Sequence, residues 1–498
     1  MTILETPSLG AGAAFRGVTV TPDVVQFRGI PFATVAERYA VAERVDTYSG
    51  VVDATEFGPL APQPLTPRTG VRPEVDRACP GTDELNCLVL NVTRPKEIPA
   101  GTALPVMLWI HPGGNMVGSA WDPMNDPRFL VQASVELGLP VVFVNVQYRL
   151  SFFGYLMVRE DEPNLASRDQ QIALEWVHEH IAAFGGDPAN VTLLGESAGS
   201  LGTHYHTQAP GSVGLFRRAG MMSTVIEART PLPVAKARAL VDEALAACGV
   251  ATLDEFRALP PAALVAGVVR LARVYGPVDD GRFFGPGPFA ERVPSAADVE
   301  AVLLGGCRFE AMFYAPRITA PAPAALYATV AGLPAVGPDL VRLYGFTPDG
   351  AEANRARAVQ LYDDLSYGAP VHNTTRRLRA AAAGPAVYTY CFDEPNPFDA
   401  ALDAHHGVDV GFFFDVYALP DPAKYAGLVR RYQTGWLRFA HGLPPWAFLP
   451  GAPADVAVHG QDVRAMDAAD YAARRRVGAF AALNALAPYD AFELTRRF

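Results

Sequence analysis

The sequence predicts an α/β fold with a large central sheet, mixed but mostly parallel, that is flanked by helices. The first observation is a pair of nearly continuous apolar runs of strand length, LPVMLWI at Leu104–Ile110 and LPVVFVNV at 139–146. Such runs suit strands that are covered on both faces. The second observation is the order helix, turn, strand, glycine turn and helix that begins at residue 169. This order is typical of an α/β unit.

The individual elements follow from local patterns in chain order. Apolar residues at helical spacing predict a helix over 169–184. The GGDP turn at 185–188 ends it, because glycine permits a left-handed cap and proline cannot continue the helix. The predicted strands are 18–20, 24–27, 104–110, 139–146, 191–194, 302–305 and 386–392.

From its length alone, a chain of 498 residues would be expected to form about three domains. No internal repeat, low-complexity linker or long charged block divides the chain. We therefore expect one catalytic domain over 1–498. Residues 311–385 are rich in alanine, predicted to be mostly helical, and too long for a plain crossover. They are expected to form a helical insertion that serves as a cap or regulatory region.

Composition excludes several classes of partner. With 41 basic and 52 acidic residues the net charge is −11, the wrong sign for holding phosphate backbones or anionic lipid through a general field. The five cysteines show no C-x-x-C spacing, which argues against a zinc site and a disulfide framework. No apolar run approaches a membrane span of about 18 residues, and the first residues do not resemble a signal peptide. A cytoplasmic, soluble protein is the expectation.

The motif that carries chemistry is Gly195-Glu196-Ser197-Ala198-Gly199, directly after the predicted strand 191–194. It has the form G-x-S-x-G, in which a serine on a sharp strand-to-helix turn is exposed above the sheet. The alternative is a glycine-rich turn with an idle serine, which the position between strand and helix argues against. Ser197 is therefore the candidate nucleophile.

A serine nucleophile needs an oxyanion hole, a base and an acid. Backbone N–H groups of Gly113 and Gly114, after the strand 104–110, together with that of Ala198 would supply the hole. The best place for the base is the loop after strand 386–392, with His405 and His406. Candidates for the acid, which follows the serine and precedes the histidine in most such enzymes, are Glu310 and its rivals Asp280, Asp403 and Asp409.

At these residues the sequence resembles the type-B carboxylesterase family, the esterase, lipase and cholinesterase branch of the α/β-hydrolases. The similar blocks are FRGIPFA at 27–33, CLVLNV at 87–92, QYRL at 147–150, DQQIALEWVHEHIAAFGGDPANVTLLGESAGS at 169–200, GCRFEAMF at 306–313 and HGVDVGFFF at 406–414. The resemblance implies an α/β-hydrolase fold, Ser197 as nucleophile, Glu310 as acid and His406 rather than His405 as base. It also implies Gly113, Gly114 and Ala198 as oxyanion donors. Glu196, Ser200 and Ser223 are expected to support these groups.

The chain departs from the family pattern at several positions. Ala61 stands where the family usually has a cysteine that bridges to the position of Cys87, so that bridge cannot form. Cys79 could pair with Cys87 instead, but free thiols are the expectation. Pro112 replaces the first glycine of the usual H-G-G-G run, and Thr224 stands where the family commonly has a glycine after serine.

The predicted function is hydrolysis of carboxylic esters through a Ser-His-Glu triad and an acyl-enzyme intermediate, without metal or cofactor. The predicted partner is a small apolar ester or carbamate, with no nucleic acid or membrane, and the chain is expected to be a monomer or homodimer. One alternative is a carbamate, amide or anilide hydrolase that uses the same triad. Another is a non-catalytic, cholinesterase-like binding protein, which the filled triad positions argue against.

Overall fold

The computed structural model describes residues 3–5, 13–64, 78–224, 230–271, 273–287, 289, 292–294, 298–334, 336–446, 456–459, 464–465, 479 and 483. The strands are β1 (Ile3–Glu5), β2 (Ala14–Thr21), β3 (Val24–Pro31), β4 (Ala33–Thr34), β5 (Glu43–Arg44), β6 (Val51–Asp53), β7 (Val89–Pro95), β8 (Leu104–Ile110), β9 (Val142–Val146), β10 (Gly186–Glu196), β11 (Arg218–Met222), β12 (Leu232–Pro233), β13 (Val278–Asp279), β14 (Ala301–Cys307), β15 (Ala386–Phe392), β16 (Val456–His459) and β17 (Arg464–Ala465).

Helices lie between these strands in the described parts of the chain. They are α1 (Arg128–Glu136), α2 (Ser151–Gly154), α3 (Leu165–His180), α4 (Ala198–Gln208), α5 (Val234–Cys248), α6 (Leu253–Ala258), α7 (Pro261–Leu271), α8 (Ala315–Thr319), α9 (Pro323–Ala331), α10 (Gly337–Tyr344), α11 (Ala353–Asp363), α12 (Ala369–Ala380), α13 (Val408–Phe414) and α14 (Pro422–Ala440). A π-helical turn, Asp364–Gly368, joins α11 to α12.

One large sheet dominates the described residues, in the order β1-β2-β3-β7-β9-β8-β10-β11-β14-β15-β16-β17, with β6 paired to β2. Neighbours from β9 to β16 are parallel, whereas β1 to β9 and the last pair are antiparallel. This is the α/β-hydrolase architecture, a mixed and mostly parallel sheet flanked by helices, and the predicted fold class is confirmed.

Strand β8 shows why the apolar runs predict buried strands. Val106, Leu108 and Ile110 pack into the core on one face of the sheet. Met107 and Trp109 pack into the core on the other face. Side chains alternate between the faces of a strand, so a strand with helices on both sides must be apolar throughout. Fully burying each large apolar side chain contributes about 1.5–3 kcal/mol.

Several predicted boundaries differ from the structure. The strand predicted over 139–146 begins only at Val142, and the strands predicted over 18–20, 24–27 and 302–305 are longer in the structure. The helix predicted over 169–184 begins earlier, at Leu165, and its last turn is a 3₁₀ helix, Ile181–Phe184, that ends at the left-handed Gly185 (φ 80°). The strand predicted over 191–194 extends over Gly186–Glu196. It is longer because its first residue already pairs with Leu104 of β8, a tertiary contact that local patterning cannot reveal.

The carboxyl ends of β8, β10, β11, β14 and β15 meet at one edge of the sheet, because these strands are parallel neighbours. The strands end at Ile110, Glu196, Met222, Cys307 and Phe392. The loops after them carry the candidate residues. In open α/β sheets this edge is the usual place for a binding site.

Helices α8 to α12 and the π-helical turn lie within the predicted insertion 311–385. No disulfide joins any of the five cysteines that the structure describes, Cys79 and Cys87 included. Among the described residues, no helix combines the length and the apolar character that crossing a membrane would require. The cytoplasmic location stays a prediction.

Candidate active site

Ser197 lies in a strained turn between β10 and α4. Its backbone has φ 53° and ψ −118°, a conformation that a residue with a side chain rarely adopts. Two glycines permit it: a Cβ on Gly195 would lie 2.5 Å from the carbonyl oxygen of Gly199, and one on Gly199 would lie 2.0 Å from that of Ile110. The Ser200 hydroxyl donates to the Ser197 carbonyl at 2.7 Å. The two glycines of the G-x-S-x-G motif are thus required by steric contacts within the turn and with β8.

Glu310 and His406 meet at the same edge although 96 positions separate them. The Nδ1 atom of His406 lies 2.6 Å from Oε2 of Glu310, and the backbone N–H of Cys307 donates to Oε1 at 2.6 Å. Both side chains are buried. The loops that carry them are paired through their backbones: the N–H of Phe309 donates to the carbonyl of Ala404 at 2.9 Å, and that of His406 to Phe309 at 3.1 Å.

The alternatives that the sequence left open have other contacts. His405 is buried, with Nδ1 2.9 Å from the carbonyl oxygen of His406 and Nε2 2.8 Å from the Asn396 amide. Asp403 forms an ion pair with Arg308. Asp280 accepts from the N–H groups of Arg282 and Phe283 in its own turn. Among the described histidines and acids, the structure therefore places His406 and Glu310 together.

Glu196, which precedes Ser197 in the chain, contacts the Nε2 nitrogen of His406. Oε1 of Glu196 lies 3.1 Å from Nε2 of His406. Within the described residues, the Ser197 hydroxyl forms no hydrogen bond with His406. In unliganded enzymes such a contact often tightens only when substrate binds.

The electrostatics of His406 follow from these carboxylates. Burial lowers the pKa of His406, because it disfavours the charged ring, but Glu196, Glu310 and Asp409 together outweigh burial and raise the pKa to about 9. The resting imidazole is therefore held in its protonated form at neutral pH, between two carboxylates.

The predicted oxyanion donors lie on the loop after β8 and at the start of α4. Gly113 and Gly114 have φ 122° and 65°, and a Cβ on Gly113 would lie 1.9 Å from the carbonyl oxygen of Val117. Ala198 is the first residue of α4, where N–H groups have no partner within the helix. Asn115, which follows Gly114, is buried and donates to the Tyr275 carbonyl at 2.7 Å, so it anchors the loop.

Asp409 is a residue near the site that sequence reasoning treated only as a rival acid. It is fully buried and accepts hydrogen bonds from the hydroxyls of Tyr390 at 2.8 Å and Tyr432 at 3.0 Å. Burial first, and then Glu310, raise the pKa of Asp409. Its position three residues after His406 was visible in the sequence, but its burial and tyrosine partners depend on tertiary contacts.

Two aromatic rings flank His406. The ring centroid of Tyr367, from the π-helical turn, lies 5.3 Å from the imidazole, and that of Phe313 lies 6.0 Å away. Phe313 is 57% exposed, which is unusual for phenylalanine and indicates an open apolar wall beside the base. Other aromatic residues near the catalytic loops in sequence belong to the core: Phe152, Phe153, Phe412 and Phe413. Within the part of the chain that the structure describes, no three His, Cys, Asp or Glu residues are grouped as metal ligands.

Comparison with known proteins places this site in a family. Residues 10–446 match the model of the Carboxylesterase family. Lipase 3 of Yarrowia lipolytica is 34% identical over 89% of this chain and 89% of its own. The inactive carboxylesterase-like protein VdtD of Byssochlamys spectabilis is 28% identical over 86% of this chain and 82% of its own.

A solved structure agrees with these sequence matches. A carboxylesterase from Geobacillus stearothermophilus superposes with a TM-score of 0.75, at 27% identity, over 96% of this chain and 99% of that one. The resemblance on which the sequence analysis relied is confirmed. The chain belongs to the carboxylesterase family and is a carboxylic ester hydrolase.

Proposed function

We propose that the chain is a serine carboxylesterase with Ser197 as nucleophile, His406 as general base and acid, and Glu310 as the group that orients His406. The observation that carries this proposal is the 2.6 Å contact between Glu310 and Nδ1 of His406, at the sheet edge where Ser197 is held in its strained turn. A carboxylate on Nδ1 fixes the tautomer in which neutral His406 accepts a proton at Nε2.

The reaction then runs in two halves. His406 takes the proton of the Ser197 hydroxyl, and the serine oxygen attacks the ester carbonyl carbon. The N–H groups of Gly113, Gly114 and Ala198 stabilise the negative oxygen of the tetrahedral intermediate. Its collapse breaks the bond to the alcohol oxygen, which takes the proton from His406, and leaves the acyl group on Ser197. Water attacks the acyl-enzyme in the same way and releases the acid.

Apolar groups beside the base support a small apolar substrate. Tyr367 and the exposed Phe313 both flank His406, and ligand sites are commonly apolar with few polar groups. Comparison of matched ester, carbamate and anilide substrates would establish which carbonyl compound the site prefers.

Replacement of the nucleophile tests the mechanism. Ser197→Ala is expected to lower turnover of short p-nitrophenyl esters by about 10⁴-fold or more, because no acyl-enzyme can form. Ser49→Ala, at an exposed serine, is the matched control and should retain activity. Substantial activity in the Ser197→Ala protein would rule out this nucleophile.

Because one relative, VdtD, is named an inactive carboxylesterase-like protein, the alternative to test is a protein without turnover. A fluorophosphonate probe, which reacts only with an activated serine, separates the two. Labelling that disappears in Ser197→Ala supports the esterase, whereas an unlabelled native protein supports the protein without turnover.

A further inference from the structure

A small cavity lies against Glu310 at the carboxyl edge of the sheet. It has a volume of about 40 Å³ and lies between the ends of β11, β14 and β15, the π-helical turn and α12. Its wall includes Ser223, Thr224, Gly306, Glu310 and Asp363. This volume exceeds the roughly 10–15 Å³ that a single buried water needs, so the cavity has room for water.

Two hydroxyl groups in the wall lack hydrogen-bond partners. The side chains of Ser223 and Thr224 are 1% and 0% exposed. Neither Oγ of Ser223 nor Oγ1 of Thr224 has a hydrogen-bond partner among the described residues. A buried hydroxyl without a hydrogen-bond partner destabilises the fold, so native proteins fill such sites with water where there is room.

Carboxylate oxygens in the same wall can accept hydrogen bonds from water and from the hydroxyls. A carboxylate offers about four acceptor positions, and Glu310 uses one oxygen for the Cys307 N–H and the other for His406. Asp363 accepts from the N–H of Ala311 at 2.7 Å and brings a second carboxylate to the cavity. Water in the cavity can therefore donate to carboxylate oxygens and accept from the hydroxyls.

Gly306 keeps the path from the hydroxyls to Glu310 open. A Cβ at this position would lie 2.4 Å from Oε1 of Glu310 and 3.6 Å from the Cα of Ser223. A side chain here would therefore fill the space between the serine and the carboxylate.

We propose that this cavity binds ordered water that donates to the Glu310 carboxylate, and that Thr224 is a positioning residue that holds this water. The proposal rests on the proposed function, in which Glu310 orients His406. The family commonly has a glycine at the position of Thr224. A glycine has no hydroxyl, so the Thr224 hydroxyl is a feature of this chain.

The consequence for catalysis follows from the charges around His406, which are Glu196, Glu310 and Asp409. Water that donates to Glu310 disperses part of its negative charge. Without that donor, more of the charge acts on the imidazole, and the protonated ring becomes more stable. The pH at which His406 becomes a base then rises.

A pair of variants tests the proposal. Thr224→Val keeps the shape of the side chain and removes the hydroxyl, and Thr224→Ser keeps the hydroxyl. Thr224→Val is expected to shift the midpoint of the kcat/KM profile upward by about 0.5–1 pH unit, which lowers kcat/KM at pH 7 about three- to tenfold. The plateau at high pH should stay the same, and Thr224→Ser should follow the native profile. Thr224→Ala is the second hydroxyl-free variant if the valine protein does not fold.

A crystal structure of the native full-length chain supplies a readout that does not depend on activity. Ordered water within hydrogen-bond distance of Oγ1 of Thr224 is expected. An empty cavity, or hydroxyl-free variants whose pH profiles coincide with the native one, would overturn the proposal. Ser197→Ala, measured beside these variants, separates the outcomes: an active Ser197→Ala protein refutes the proposed function, and an inactive one together with unchanged Thr224 variants refutes only the water site.

Discussion

The two halves of the candidate site are held in place by different physical means. On the nucleophile side, backbone conformation defines Ser197, Gly113 and Gly114, which all have positive φ. On the acid and base side, Glu310 and His406 are positioned by side-chain hydrogen bonds and by backbone pairing of two distant loops. In the first half, a Cβ at Gly113 or Gly199 would clash with backbone atoms, whereas the second half depends on charges and hydrogen-bond donors. Substitutions should therefore damage the two halves in different ways.

The largest effect is expected on the nucleophile side, from Gly199→Ala. The new Cβ would lie 2.0 Å from the Ile110 carbonyl oxygen, so β8 or α4 must move. We expect a loss of more than about 3 kcal/mol in the free energy of unfolding, together with loss of activity. Urea denaturation measures the free energy of unfolding. Gly276→Ala is the control, because its Cβ would have only the Tyr205 hydroxyl, 3.7 Å away, within contact distance. Equal unfolding midpoints for the two variants would contradict the steric explanation.

On the acid and base side, Glu310→Gln should leave the fold intact and remove the charge. The amide can donate to Nδ1 and so favour the wrong tautomer, and the imidazolium loses its counterion. We expect kcat to fall about 10³-fold or more, with KM changed little. Asp280→Asn, at a rival acid, should keep kcat within about twofold. A similar loss in both variants would mean that Glu310 is not the orienting acid.

A smaller effect is expected from the carboxylates that set the pKa of His406. Because the pKa of His406 is raised to about 9, and the base must be neutral, kcat/KM should increase with pH and level off above about pH 9. Glu196→Gln removes a carboxylate 3.1 Å from Nε2. The pKa of His406 should fall, and the midpoint of the profile should move to lower pH. Glu56→Gln, at an exposed glutamate, should leave the profile in place.

The raised pKa of His406 also makes the stability of the fold depend on pH. A histidine whose pKa is higher in the folded state stabilises the fold fully below its unfolded pKa of 6.5, and this contribution is lost as the pH rises to about 9. The free energy of unfolding of the native protein should therefore decline over this range, and that of Glu196→Gln should decline less. A steeper decline in the variant would contradict the assignment of Glu196 as a raising charge.

The difference between the nucleophile side and the acid and base side also explains what the sequence could predict. The turn around Ser197 is recognisable because local sterics demand glycine at fixed positions. The base and acid were less certain from the residues alone, since His405 and His406 lie in the same loop, and Asp280, Glu310 and Asp403 all lie between Ser197 and these histidines. Only the family resemblance selected His406 and Glu310. The tyrosine partners of Asp409 and the cavity beside Thr224 arise from contacts between distant segments, which no local pattern encodes.

The backbone pairing between the acid loop and the base loop has a consequence for how this enzyme can change. Glu310 and His406 follow β14 and β15, adjacent parallel strands that pair from Ala301 with Ala386 to Cys307 with Phe392. The helices between these strands reach the base mainly through Phe313 and Tyr367. We therefore expect substitutions at Phe313 and Tyr367 to alter the apolar wall beside the base, while the two strands preserve the distance between acid and base.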